Sequence, residues 1–203
     1  MIVDRFVLNR DYGANCWVIR ADESSPAATI DPGGDPSELL DSGIRVGGIL
    51  ITHGDVDHIG GVAALAEATG AEVWMPAGEV DALRDGVTRG GLIVPPYPPE
   101  HEVRGGDRVE ISGITADVVD VPVHSAGHVA YYVDGKLFSG DVLFEQSVGR
   151  VDFPGGDWET LLGSVRMLIE RFGPDTEVYP GHGGPTTLGR ELAANPFLDA
   201  LRS

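Results

Sequence analysis

Apolar positions along the chain fall first into short β-type runs and only later repeat at helical spacing. "IVDRFVL", "NCWVIR" and "AATI" predict strands, broken by the turn formers "DYGA" and "DPGGDP". "PSELLDSG" predicts a short helix that stops at Gly43, and "VGGILIT" a buried strand. "IGGVAALAEATG" is the first clear helix, with Val62, Leu65, Ala66 and Thr69 roughly on one face and Gly70 as its stop. "AEVWMP" follows as a strand. Residues 86 to 106, with "GGLIVPPYPPE", predict a long loop, a length that in compact domains often accompanies function. "DRVEI", "ITADVVDV", "VAYYVD" and "KLFSGD" predict a meander, and "DWETLLGSVRMLIERFG" an amphipathic helix with Leu161, Val165, Leu168 and Phe172 on one face. A strand "TEVYP", a "GHGGP" turn and a short helix close the chain. Strands, helix, more strands and more helix, without a repeat, predict two halves of similar design with sheets inside and helices outside. The 203 residues suit one domain spanning 1–203.

Charge narrows the partners. The chain carries 32 acids against 14 bases, a formal −18. That field repels nucleic-acid phosphates and anionic membranes, so a generic polyanion binder is not expected. A metal-screened site acting on phosphodiesters is still compatible with it. Lys136 is the only lysine, a bias that a high-salt cytoplasm and a GC-rich genome would both produce. Cys16 is the only cysteine, which leaves no internal disulfide and no cysteine-built zinc site, and reads as a small buried strand residue. "MIVDRFVLNRD" has acids and arginines where a leader needs an apolar core, and no apolar run approaches the ~18 residues of a spanning helix. The expectation is a cytoplasmic protein without a membrane partner.

Chemistry concentrates in the histidines. Six exist, and four sit at strand ends or beside glycine: "THGD", "DHIGG", "AGHV" and "PGHGG". Glycine beside a ligand lets backbone approach an ion without a Cβ clash. "FSGD" places Asp141 at a strand end in the same manner. A lone histidine is more often a hydrogen-bonded structural residue. His53, Asp55, Asp57 and His58 crowd into six positions, and His128, His182 and Asp141 join them in like settings, so together they point to a metal. Neutral imidazoles with carboxylates suit zinc, iron or manganese. His101, between Glu100 and Glu102 in the Pro-rich loop, reads as a surface residue.

In order along the chain, "THGDVDH", "HSAGH", "FSGD" and "YPGHG" resemble the ligand set of the metallo-β-lactamase superfamily, whose first motif is HxHxDH. "TIDPGG" resembles its strand-end aspartate turn. "SVGRVDFPGGD" (147 to 157) and "PGHGGPTTLGRELAANPFL" (180 to 198) bring the chain closest to short glyoxalase II-like hydrolases, and the likeness covers nearly all of it. A helical domain like the one that ends full-length glyoxalase II is not expected here, so the resemblance does not carry specificity for a glutathione thioester with it. The resemblance implies an α+β fold, an αββα sandwich with the site at one edge between the sheets. It implies two divalent transition-metal ions: one on His53, Asp55 and His128, the other on Asp57, His58 and His182, with Asp141 bridging. Asp31 is expected to be a structural hydrogen-bonder beneath the metal loop. His124 is a candidate to support the ligands or a surface residue, and Arg150 is expected to pair with Asp152 in a buried bridge holding the loop after Asp141, or else to face substrate.

Asp55 departs from the family pattern, which has histidine there. A carboxylate hardens that site and shifts preference from zinc toward iron or manganese. Flavodiiron proteins and some competence-channel hydrolase domains also carry an acid there. Alternatively Asp55 does not bind and only the second site fills. The expected activity is metal-dependent hydrolysis of a small thioester by a hydroxide bridging the ions, with Asp57 orienting it. Three alternatives stand beside it. One is a mononuclear iron persulfide dioxygenase using His53, His128 and Asp141, another a manganese-dependent phosphodiesterase, and the third a non-catalytic metal module.

Overall fold

The computed structural model describes residues 1–123, 125–152 and 156–202. One six-stranded sheet runs in chain order: β1 (Ile2–Asn9), β2 (Ala14–Arg20), β3 (Ala27–Ile30), β4 (Val46–Leu50), β5 (Glu72–Pro76) and β6 (His101–Val103). The other takes its strands out of chain order: β14 (Thr186–Thr187), β13 (Glu177–Pro180), β10 (Lys136–Gly140), β9 (Val129–Val133), β8 (Ile114–Asp120) and β7 (Arg108–Ile111). Four short helices flank the first sheet: α1 (Ser37–Asp41), α2 (Val56–Ile59), α3 (Val62–Thr69) and α4 (Val80–Arg84). α5 (Trp158–Phe172) and α6 (Leu188–Ala194) flank the second.

Strand alternation explains the layers, because neighbouring side chains point to opposite faces. On β2, Cys16 and Val18 face the helices beside Leu39, Leu65 and Leu83, while Trp17 and Ile19 face the other sheet. On β10, Phe138 enters the layer between the sheets and Leu137 packs under α5 with Leu161, Val165 and Leu168. Three apolar layers between four layers of secondary structure make the fold an αββα sandwich, and Cys16 is buried on its strand as expected.

Two local expectations need correction, and some short elements were not foreseen. The helix expected across "IGGVAALAEATG" starts at Val62, and α2 precedes it within the ligand motif. Between them the Gly61 amide bonds outward to Pro32 O at 2.9 Å, so the two helices do not run together. The stretch 86 to 106 is not all loop: β6 extends the first sheet alongside β5, and Val87 bridges Ile93. α4 and the hairpin of β11 (Leu143–Phe144) and β12 (Ser147–Val148) escape a periodicity reading because they are too short to show a period. His101 stands partly exposed on the edge strand, stacked on Trp74 and bonded to Glu72, a surface residue as expected.

Candidate metal centre

The chemistry-bearing side chains gather where strands end. β3 and β4 run parallel and deliver Asp31, Thr52 and His53 at their C-terminal ends. β10 and β13 are also parallel and deliver Asp141 and His182. His128 stands at the start of antiparallel β9, and the turn into α2 supplies Asp55, Asp57 and His58. The two sheets are fastened here: Val129 N donates to Thr52 O (3.0 Å), Tyr131 OH to Ile51 O (2.8 Å) and Trp17 Nε1 to Pro180 O (2.9 Å).

One group is compact. His182 Nε2 lies 3.2 Å from Asp57 Oδ2 and 3.6 Å from Asp141 Oδ2. His58 Nε2 lies 3.4 Å from Asp141 Oδ1 and 3.9 Å from Asp57 Oδ2. Donor atoms bound to one ion at ~2.0–2.2 Å and near-tetrahedral angles lie about 3.3–3.6 Å apart, so these spacings suit a shared cation. His58 Nε2 and Asp141 Oδ1 are buried without a well-aligned hydrogen bond among the described residues, a cost that a bound ion would remove. The donor set fits a divalent transition metal.

Asp31 supports this group from beneath. Its Oδ1 accepts from Thr52 N (2.8 Å), and its Oδ2 accepts from the Thr52 hydroxyl (2.7 Å) and from His58 Nδ1 (2.9 Å). With both oxygens committed, Asp31 is a poor ligand although it lies beside His53 and His58. The bond fixes a proton on His58 Nδ1 and turns Nε2 toward Asp141. Asp31 has φ +54°, a left-handed conformation unusual for a residue with a side chain. Glycine is required where the end of β13 passes these side chains: a Cβ on Gly181 would fall onto Asp141 Oδ1 and lie 2.7 Å from His58 Cε1.

The other group is looser. Asp55 Oδ2 lies 3.7 Å from His53 Nε2, and both Asp55 oxygens take hydrogen bonds from Arg89 Nη2, at 2.9 and 3.0 Å. His53 Nδ1 sits 2.9 Å from the Thr52 hydroxyl, and its ring stacks on His128 with centroids 4.6 Å apart. His128 Nε2 accepts from the Asp141 amide at 3.1 Å, so that nitrogen must give up this bond before it binds an ion.

The field of the site is set by mutual pairing. Burial opposes the charged form of His58, but the carboxylates of Asp141 and Asp31 outweigh it and hold the imidazole well above its usual range. Burial likewise opposes the Asp141 anion, and the His58 imidazole, joined by His182 and His53, brings its carboxyl well below the usual value. His182 is pushed up to about 9, against its own desolvation, by Asp141 and Asp57. These histidines hold protons where a divalent ion would otherwise supply the positive charge.

Arg150 does pair with Asp152, at 2.7 Å, but both side chains are about two-thirds exposed (67% and 65%), so the expected buried bridge is corrected to a surface one. Burying both ions would have cost more than their attraction returns. The hairpin after Asp141 is held instead by buried Glu191, which accepts from Gln146 N (2.8 Å) and from the Thr186 hydroxyl (2.5 Å). Asn195 assists by donating to Ser147 O at 2.9 Å. His124 lies outside the described residues. Arg89 and Glu191 were not singled out in the sequence; the only signal for Arg89 is a lone cation in "TRGG" within the long loop. A pocket of about 530 Å³ opens onto Asp57, Asp141 and His182, walled by Arg89, Tyr12 and Leu92.

Fold and site together are those of a metal-dependent hydrolase. The sequence profile of the metallo-β-lactamase superfamily matches residues 9–182, and the chain belongs to that superfamily. It is 36% identical over 201 residues to the hydroxyacylglutathione hydrolase GloC of Haemophilus influenzae, covering 92% of this chain and 93% of that one. Among solved structures, BLEG-1 B3 metallo-β-lactamase superposes with a TM-score of 0.90 at 34% identity, over 98% of this chain and 100% of the other. TTHA1623 in a di-iron-bound form gives 0.79 at 37% identity over 91% and 95%. ETHE1 from Myxococcus xanthus gives 0.77 at 25% identity over 97% and 84%. Among the described residues no helix is long and apolar enough to cross a membrane.

Proposed function

We propose that the chain hydrolyses a small acyl-thiol with two divalent transition-metal ions. The observation that carries this is the compact set of Asp57, His58, Asp141 and His182 on the floor of the pocket. Those residues would hold one ion, His53, Asp55 and His128 the other, with Asp141 between them. When bound, the ions acidify water and polarise a carbonyl oxygen. The remaining work belongs to the chain. Asp57 orients the attacking water, Asp31 keeps His58 in the tautomer that binds, and Leu92 with Tyr12 gives the acyl-thiol an apolar wall.

Support for a thioester comes from the hydroxyacylglutathione hydrolase relative, which this chain covers almost end to end. Asp55 favours iron or manganese over zinc at the looser site. The likeness to ETHE1 favours one second reading, a mononuclear iron persulfide dioxygenase on His53, His128 and Asp141. That chemistry leaves Asp57, His58 and His182 without a task. A panel of S-lactoyl and other acyl-thiols, run beside a β-lactam and a phosphodiester on protein restored with zinc, manganese or iron, tests the proposal. Thioester turnover should be fastest. Oxygen consumption with a persulfide and no thioester cleavage would transfer the function to the second reading.

A further inference from the structure

Arg89 is the one cation of the loop from Gly86 to Val94, and the fold fixes where it points. Val87 bridges Ile93, Thr88 N donates to Leu92 O (2.9 Å) and Gly91 N to Thr88 O (2.8 Å), making a closed turn on a buried Thr88. From this turn the guanidinium reaches both oxygens of Asp55, and each of the two side chains is 24% exposed. Asp55 is the acid that stands where the family pattern has histidine, and its Oδ2 faces His53 Nε2 across 3.7 Å.

We propose that Arg89 governs filling of the looser metal site by competing with the cation for Asp55; this rests on the two-ion assignment above. Arginine does not lose its charge at accessible pH, so a metal ion approaching Asp55 meets a permanent cation already seated on both oxygens. A divalent ion beside His53 and a guanidinium on the same carboxylate repel each other, and partial burial keeps solvent and salt from cancelling that repulsion. No arginine or lysine contacts Asp57 among the described residues: its ion pairs there are with His58 and His182, which would themselves be ligands of the same ion. The two sites therefore fill in order. The Asp57, His58 and His182 site binds first, and the His53, Asp55 and His128 site binds second and more weakly. The aspartate at 55 and the arginine at 89 act as a pair, the one adding charge that the other offsets.

Chelator-stripped protein titrated with Mn(II), followed by calorimetry and by electron paramagnetic resonance, tests this without any assay of turnover. The wild-type chain should give an isolated-ion spectrum up to one equivalent and a separate, weaker second step with the spectrum of a coupled pair. In Arg89→Met the second step should move to at least tenfold lower Mn(II), with the first step unchanged; the unchanged first step also shows that the variant is folded. Arg89→Lys, which keeps the charge, should stay near wild type. Two steps at wild-type positions in Arg89→Met would overturn the role of Arg89 and leave the two-ion site standing. A single bound ion in both proteins at millimolar Mn(II) would overturn the two-ion assignment and the inference with it.

Discussion

Replacing Asp31 by asparagine keeps the shape of the side chain and removes one of its two acceptor oxygens. In the native chain those oxygens satisfy three donors: Thr52 N, the Thr52 hydroxyl and His58 Nδ1, at 2.7 to 2.9 Å. An amide offers an NH2 group in place of one oxygen, and the burial of Asp31 leaves no solvent to compensate. If the NH2 faces Thr52 N, two donors collide, at about 1–3 kcal/mol. If it faces His58, the imidazole must accept at Nδ1 and carry its proton on Nε2, the atom aimed at Asp141. Either way His58 loses the support of a carboxylate. Support of this kind is worth about 10–100-fold in metal affinity, or about 1.4–2.8 kcal/mol. Chelator-competition titration of the first ion should show a loss in that range for Asp31→Asn, with a lower melting temperature in the stripped protein. First-ion affinity within twofold of wild type would refute the role given to Asp31.

Gly181→Ala should disrupt the centre although it removes no ligand, because its Cβ has no room beside Asp141 Oδ1 and His58 Cε1; weakened metal retention after dialysis checks this, and normal retention would mean that the strand end yields easily. The stripped protein should also lose stability as pH rises. His182 has a folded value of about 9 against an ordinary 6.5, so its contribution is full below pH 6.5 and is lost as pH climbs through 9. Melting temperatures from pH 6 to 10 should fall in the stripped protein and fall less in the metal-loaded one, where the imidazole is already neutral; parallel curves would count against this.

The strand-end histidines were legible because a ligand motif is local. "THGDVDH" is a strand end followed by one helical turn, and "FSGD" and "YPGHG" are strand ends whose glycines announce close packing. The four-layer order was legible from short apolar runs and a single long amphipathic helix. What stayed hidden depends on partners far apart in the chain. Arg89 lies 34 residues from Asp55, and nothing in "TRGG" says which acid it meets. Nothing in "GRELAA" marks Glu191, yet it is buried against the Gln146 amide, 45 residues away. The Arg150–Asp152 pair was legible as a pair but not as an exposed one, since burial depends on what the rest of the chain brings over it.

The central claim, that Asp141 stands between two metal ions, is tested most directly by the metal content of two proteins. Elemental analysis of the wild-type chain, purified without added metal and then loaded with manganese or iron, should give up to two ions per chain. Asp141→Ala, folded as judged by circular dichroism and treated identically, should retain neither firmly, because the carboxylate faces His58 and His182 of one group while the residue's amide lies 3.1 Å from His128 Nε2 of the other. Two ions per chain in Asp141→Ala, bound as tightly as in the wild type, would contradict it.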